Sequence, residues 1–203
     1  MKVGRFATQF HYSMIALVLV SVCLSLAALA QDGHTPMLTT QHHEPTPDQQ
    51  NKASVLIKIV RESTERFKDV SVARAEGYAL QFGCVSGSDN GAMGLHFVNG
   101  DLVAGGVIDA TRPQIVIYEP TPNGGLRLIG ADYLVLADTW DKKHPADPPQ
   151  LMGQLFHLFE APNRFGLPAF YTLHVWAWKE NPNGAFVNWH PNVSCQTFSG
   201  QNP

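Results

Sequence analysis

Of the nine histidines in the chain, four fall in or beside stretches rich in Val, Ile, Leu, Phe, Tyr and Trp: His96 in MGLHFVN, His157 in GQLFHLFEAP, His174 in YTLHVWAWK and His190 in NWHPNVSC. Carboxylates are sparse there. Glu119 ends PQIVIYEP, Asp132 lies inside LIGADYLVL, and Glu160 follows shortly after His157. Neutral imidazoles with one or two carboxylates make a nitrogen and oxygen donor set for a divalent ion such as Zn, Cu, Fe or Mn, with a position left for water or substrate. The expected metal ligands are His96, His157, His174 and Glu119. Glu119 would also serve as a catalytic general base, and Asp132 as a second catalytic carboxylate, a further ligand, or the group that orients a ligand histidine. Asp132 stands out because Ile129, Ala131, Tyr133, Leu134 and Val135 around it describe a buried strand. An isolated carboxylate in such a strand is penalised unless a cation or several donors meet it. No H-x-H or H-E-x-x-H pair gathers these residues locally, so only the fold can bring them together. The plain alternative is a set of separate core histidines, each donating to a carbonyl. His190, beside Pro191 and near Cys195, is read as structural.

The aromatic residues support a second reading. His174, Trp176 and Trp178 alternate, and on a strand alternate side chains share a face. Trp176, Trp178 and Trp189 would then line a pocket for a sugar ring or another flat small molecule, making the chain a non-catalytic binding module. A structural envelope protein is the third reading. Other catalytic templates fit poorly. There is no G-x-S-x-G elbow, and the Gly-rich NGDLVAGG lacks the lysine and the strand-to-helix setting of a phosphate loop.

Positioning these residues falls to two kinds of element. From Lys52, Ala53, Leu56, Ile57, Val60 and Phe67 recur near a 3.6-residue period, with charged residues on the other side, which predicts a helix. Asp69 reads as the N-cap of a second, short helix through Glu76, with Gly77 just past its end. Beyond Tyr78 the pattern is strand and turn: 94–98, 114–119, 126–137 and 170–179 are β-rich, with hairpin-grade turns at Asn99-Gly100 and Asn123-Gly124-Gly125. Thr139 to Gln150 reads as loop. No helix-length segment separates the strands, so parallel crossovers are not expected. The expected fold is α+β: two N-terminal helices packed on a curved, mainly antiparallel β-sheet that could approach a barrel.

The ends of the chain set its compartment. Lys2 and Arg5 precede an apolar run from Ile15 to Leu29 that closes on Ala28-Leu29-Ala30, so residues 1–30 read as a cleaved signal peptide and the protein as secreted or periplasmic, with no stable membrane anchor afterwards. Residues 31–50, rich in Gln, Thr, Pro, His and Asp, read as a disordered linker, and 51–203 as a single domain. Without Lys2 and Arg5, 12 basic residues face 17 acids, a net charge of −5, and no basic patch remains to bind nucleic acid. A small molecule is the expected partner. Cys84 and Cys195 are the cysteines left in an oxidising compartment and are expected to form a disulfide.

The stretches AEGY, MGLHFVN, IVIYEP, LIGADYLVLAD and, most specifically, YTLHVWAWKENPNGAFVNWHPNVSC resemble a family of secreted bacterial proteins with no assigned activity. The resemblance runs from about Ala53 to Cys195. It implies an exported domain with these boundaries and carries over no catalytic residue.

Overall fold

The first helix, α1 (Pro47–Thr64), begins inside the segment expected to be linker. Its start is fixed by a capping box in which Thr46 and Gln49 each bond the other's backbone N–H, with Pro47 at the first helical position. A single 3-10 turn, Glu65–Lys68, leads into α2 (Val70–Ala75), capped by the Asp69 carboxylate on Ser71 N, as the sequence indicates. These contacts come from a computed structural model that describes residues 44–87 and 89–200, all within one compact unit spanning 43–203. The expected signal peptide, and His34, His42 and His43 of the expected linker, lie outside the described residues. Among the described residues, no helix is long and apolar enough to cross a membrane.

Among the described residues eight strands follow: β1 (Tyr78–Ser86), β2 (Ala92–Asn99), β3 (Ile115–Pro120), β4 (Leu126–Leu136), β5 (Gln150–Leu151), β6 (Gln154–Leu155), β7 (His157–Phe159) and β8 (Phe170–Val175). Six form a sheet in the order β1-β2-β3-β4-β8-β7, every neighbouring pair antiparallel, while β5 and β6 make a separate small hairpin. The α+β class therefore holds. The approach to a barrel does not, because β1 and β7 remain as open edges.

Three local expectations are corrected. Asn99 does not open a hairpin turn; its side chain caps Leu102 N at the start of a short helix, α3 (Gly100–Gly105). Another short helix, α4 (Ala137–Lys143), occupies the start of the expected loop. β8 stops at Val175, where the chain kinks and the backbone N–H groups of both Trp178 and Lys179 turn back to Ile129 O.

The two faces of the sheet are covered differently. On one, Leu56 and Val60 of α1 pack on Ala131, Tyr133, Leu173 and Val175, and Phe67 and Ala73 pack on Leu95, Phe97, Val116 and Tyr118. Buried tyrosine hydroxyls on this side reach carbonyls, Tyr118 to Phe67 O at 2.7 Å and Tyr78 to Pro113 O at 2.7 Å, so they are not stranded. On the other face, Ile115, Ile117, Leu134, Phe170 and Trp176 are covered by Phe159 at the end of β7 and by connecting segments that supply Phe165, Leu167 and Val193. Cys84 in β1 is bonded to Cys195, which ties the C-terminal segment to the sheet across a separation of 111 residues.

Candidate metal centre

The loop-covered face carries the polar cluster. In β4 and β8, Asp132 lies directly opposite His174, and in β3 Ile115 lies opposite Asp132 on its other side. His96, on β2, completes the group across Ile115 and Ile117. Antiparallel pairing with a two-residue side-chain period thus aims one side chain from each of three strands at a single point. His96 Nε2 and His174 Nε2 are 3.3 Å apart, His174 Nδ1 is 3.6 Å from Asp132 Oδ1, and one ligand atom from each of the three residues falls within 4.8 Å of the others. All three side chains are buried.

Two glycines make the convergence possible. Gly94, at φ +92°, lets β2 run so close to β3 that a Cβ there would meet Tyr118 O at 2.6 Å, and its carbonyl faces His96 Nδ1 at 3.2 Å. Gly130 brings β4 against β8, where a Cβ would meet Val175 O at 2.6 Å. Asp132 Oδ1 accepts a 2.5 Å bond from Thr172 Oγ1, the neighbour of His174 on the same strand face.

The electrostatics follow from burial. Burial pushes the Asp132 carboxyl up to about 6, opposed by His96, the Thr172 hydroxyl and nearby backbone N–H groups. Burial holds His96 down to about 4, with His174 adding to the effect, and holds His174 down to about 3, with His157 adding and Asn188 opposing. Both rings are therefore neutral at pH 7, the form that binds a metal.

Proton placement then leaves a gap. A carbonyl only accepts, so His96 Nδ1 carries the proton and its Nε2 presents a lone pair. If His174 Nε2 donates to it, the bond is long at 3.3 Å, and the bare His174 Nδ1 faces the Asp132 carboxylate. If instead His174 Nδ1 carries the proton, two Nε2 lone pairs point at each other. Neither arrangement satisfies the cluster. Asn188 is close enough to the His174 ring to oppose its burial by hydrogen bonding, but the geometry is too poor for a formed bond, and both Asn188 Oδ1 and His174 Nδ1 stay buried without one. Two nitrogens on one tetrahedral ion, each at 2.0–2.1 Å, stand roughly 3.3 to 3.4 Å apart. The observed separation matches.

Beside the cluster is a cavity of ≈ 20 Å³, with His96, Asp132, Thr172 and His174 as its polar side and Met93, Ile115, Leu134 and Phe170 among its apolar walls.

The other expected site residues stand elsewhere. Glu119 lies four residues along β3 from Ile115, roughly 13 Å away at strand rise. Its carboxylate is bonded to Lys179 Nζ at 2.7 and 2.9 Å and to Arg127. Hydrogen bonds from these cations outweigh burial and hold it below the usual carboxylate range, so it is an ion-pair anchor and not part of the converging set. His157 is on the edge strand β7, exposed, opposite Thr172. His190 is buried with both nitrogens engaged by backbone, Glu180 O and Asn192 N at 3.0 Å each. The three tryptophans do not share a wall. Trp176 packs on the cluster side and bonds Val187 O, Trp178 turns to the helical side and bonds Thr64 Oγ1, and Trp189 covers Gly87. Thr172 was the functional neighbour missed from sequence, although its place two residues before His174 puts it on the same strand face. Comparison with known proteins brings no name to this arrangement: no family model, no curated protein and no solved structure matches the chain.

Proposed function

We propose that this is an exported metal-binding protein whose ion is held by His96 Nε2, His174 Nε2 and the Asp132 carboxylate. The observation that carries the reading is the pair of buried imidazole nitrogens at a tetrahedral-edge distance beside a buried carboxylate that, among the described residues, pairs with no Lys or Arg. Two nitrogens and one oxygen suit Zn²⁺, Fe²⁺ or Mn²⁺, and three protein ligands leave a position open. His96 is oriented by the Gly94 carbonyl and Asp132 by the Thr172 hydroxyl, the outer contacts a ligand set needs. An ion bound there would act as a Lewis acid on whatever occupies the open position. The separation of Trp176, Trp178 and Trp189 speaks against a sugar-binding wall.

The test is equilibrium dialysis of chelator-treated protein against each of these ions, followed by elemental analysis. One ion per chain is expected for the wild type and for His157→Ala and Glu119→Ala, and none for His96→Ala or His174→Ala. Uptake that survives both of the latter substitutions refutes the assignment.

A further inference from the structure

The cavity beside the proposed ion is asymmetric. Its polar side is the ligand cluster itself, and none of the residues lining the remainder is Lys or Arg. Phe82, Phe159, Phe165 and Leu167, all partly exposed, form its outer rim, so this is the side on which it approaches solvent. The rim rings brace one another: Phe82 meets Phe165 edge-on at 5.4 Å, and Phe159 stacks on Phe170 at 5.1 Å.

Phe82 is placed there by a backbone irregularity. Between Gln81 and Cys84 the register of β1 on β2 shifts, leaving Phe82 and Gly83 as extra residues. Both adopt left-handed backbone, φ +62° and +61°. Glycine takes that conformation freely and phenylalanine does not. A bulge that re-aims one side chain, at a position held in strain, is a feature found where a strand borders a site. The disulfided Cys84 directly follows it and anchors this end of the strand.

Resting on the metal reading above, we infer that the open position at the ion admits only molecules of about the size of water or dioxygen, and that Phe82 sets this limit. The size argument is direct: ≈ 20 Å³ exceeds the space one water needs, about 10–15 Å³, and falls far short of the roughly 150 Å³ that accommodates benzene. Charge does not sharpen this limit, because a divalent ion held by two neutral imidazoles and one carboxylate keeps a net charge of +1 and attracts small anions as well as neutral molecules.

Iron(II)-loaded protein under argon tests this, titrated in turn with nitric oxide, imidazole and acetate and followed by visible absorption, with iron content measured on the same sample. Nitric oxide is expected to give a stoichiometric iron–nitrosyl spectrum in wild type. Imidazole is expected to bind at least tenfold more weakly to wild type than to Phe82→Ala, and acetate to leave the spectrum of wild type unchanged. Phe165→Ala opens the same rim from the other side without touching β1, and it replaces Phe82→Ala if that variant does not fold. Imidazole binding equally to wild type and to the opened variant, or acetate binding to wild type, overturns the selectivity while the retained iron leaves the metal site standing. Loss of iron from the wild type on desalting overturns both, and the iron measurement separates the two failures.

Discussion

Replacing Asp132 by Asn should stabilise the metal-free protein while weakening its hold on metal. The unfolded carboxyl titrates at 3.8 and the folded one at about 6. At about 1.4 kcal/mol for each pH unit between them, keeping Asp132 ionised in the fold costs about 3 kcal/mol at neutral pH. A raised folded value has a definite sign: the penalty is full above pH 6, shrinks as pH falls towards 3.8, and is absent below. Asn with its Oδ1 where Asp132 Oδ1 stands keeps the oxygen that accepts from Thr172 and removes the buried charge. Chelator-treated Asp132→Asn should therefore gain up to about 3 kcal/mol at pH 7.5, or about 6 to 12 °C in melting temperature for a domain of this size. At pH 4 the two proteins should melt nearly together. Zn²⁺ at a hundred times its dissociation constant should add about 2.7 kcal/mol to the wild type, and the same concentration should add much less to the variant. Urea and thermal unfolding at both pH values decide the matter. If metal-free Asp132→Asn is less stable than wild type at pH 7.5, or if the difference persists at pH 4, the carboxylate is already compensated by the protein and the metal proposal fails.

The histidines titrate in the opposite sense. His96 and His174 sit near 4 and 3 in the fold against 6.5 when unfolded, so below pH 6 the unfolded chain binds two more protons there, while the fold binds one more at Asp132. The balance lowers metal-free stability by about 1.4 kcal/mol per pH unit from pH 6 to 4, and by about 2.7 in Asp132→Asn; equal slopes in urea midpoints would contradict it. Removing the disulfide by Cys84→Ala with Cys195→Ala should cost up to about 5 kcal/mol for a closed loop of 111 residues, measured by urea unfolding against the oxidised protein. Glu119→Gln should cost about 2 kcal/mol through its bonds to Lys179 and Arg127 and leave metal stoichiometry unchanged by elemental analysis.

Much of this architecture is legible in the chain because its causes are local. The Asp69 cap, the period of α1 and the β-rich runs of β3 and β4 are written within a few residues each, and two cysteines left in a chain read as exported leave little choice of partner. The start of α1 is hidden by composition, since Pro47-Asp-Gln-Gln looks like linker until the Thr46–Gln49 reciprocal cap is recognised. Asn99-Gly100 is ambiguous for a related reason: the same asparagine that favours a hairpin turn is also a good helix cap. The mixed outcome at the site has a different origin. His96, His174 and Asp132 were nominated on residue type and buried context, and register brings these three together. Glu119 met the same criteria, but what excludes it is Lys179, whose approach depends on the kink after Val175, a turn set by Gly130 and Ile129 on another strand. That kink also sends Trp178 to the helical face and breaks the His174-Trp176-Trp178 alternation expected of a longer strand.

The kink, the close approaches at Gly94 and Gly130, and the bulge at Phe82 share a consequence. Each departs from a regular sheet, and each borders the polar cluster or aims a side chain at its cavity. Irregularities of this kind need support from elsewhere in the fold. Here the opposite face provides it, with two apolar clusters under the helices and tyrosine hydroxyls bonded to carbonyls, while the disulfide fixes the C-terminal segment. A sheet stabilised on one side can carry, on the other, two neutral imidazoles and a carboxylate that repel alternative proton arrangements. On the proposed reading the cluster opposes folding without an ion, and with one the same atoms would become ligands at a separation the ion requires. The sign of the Asp132→Asn effect in metal-free protein therefore tests the whole division of labour between the two faces, because a purely structural cluster would lose stability where a metal site should gain it.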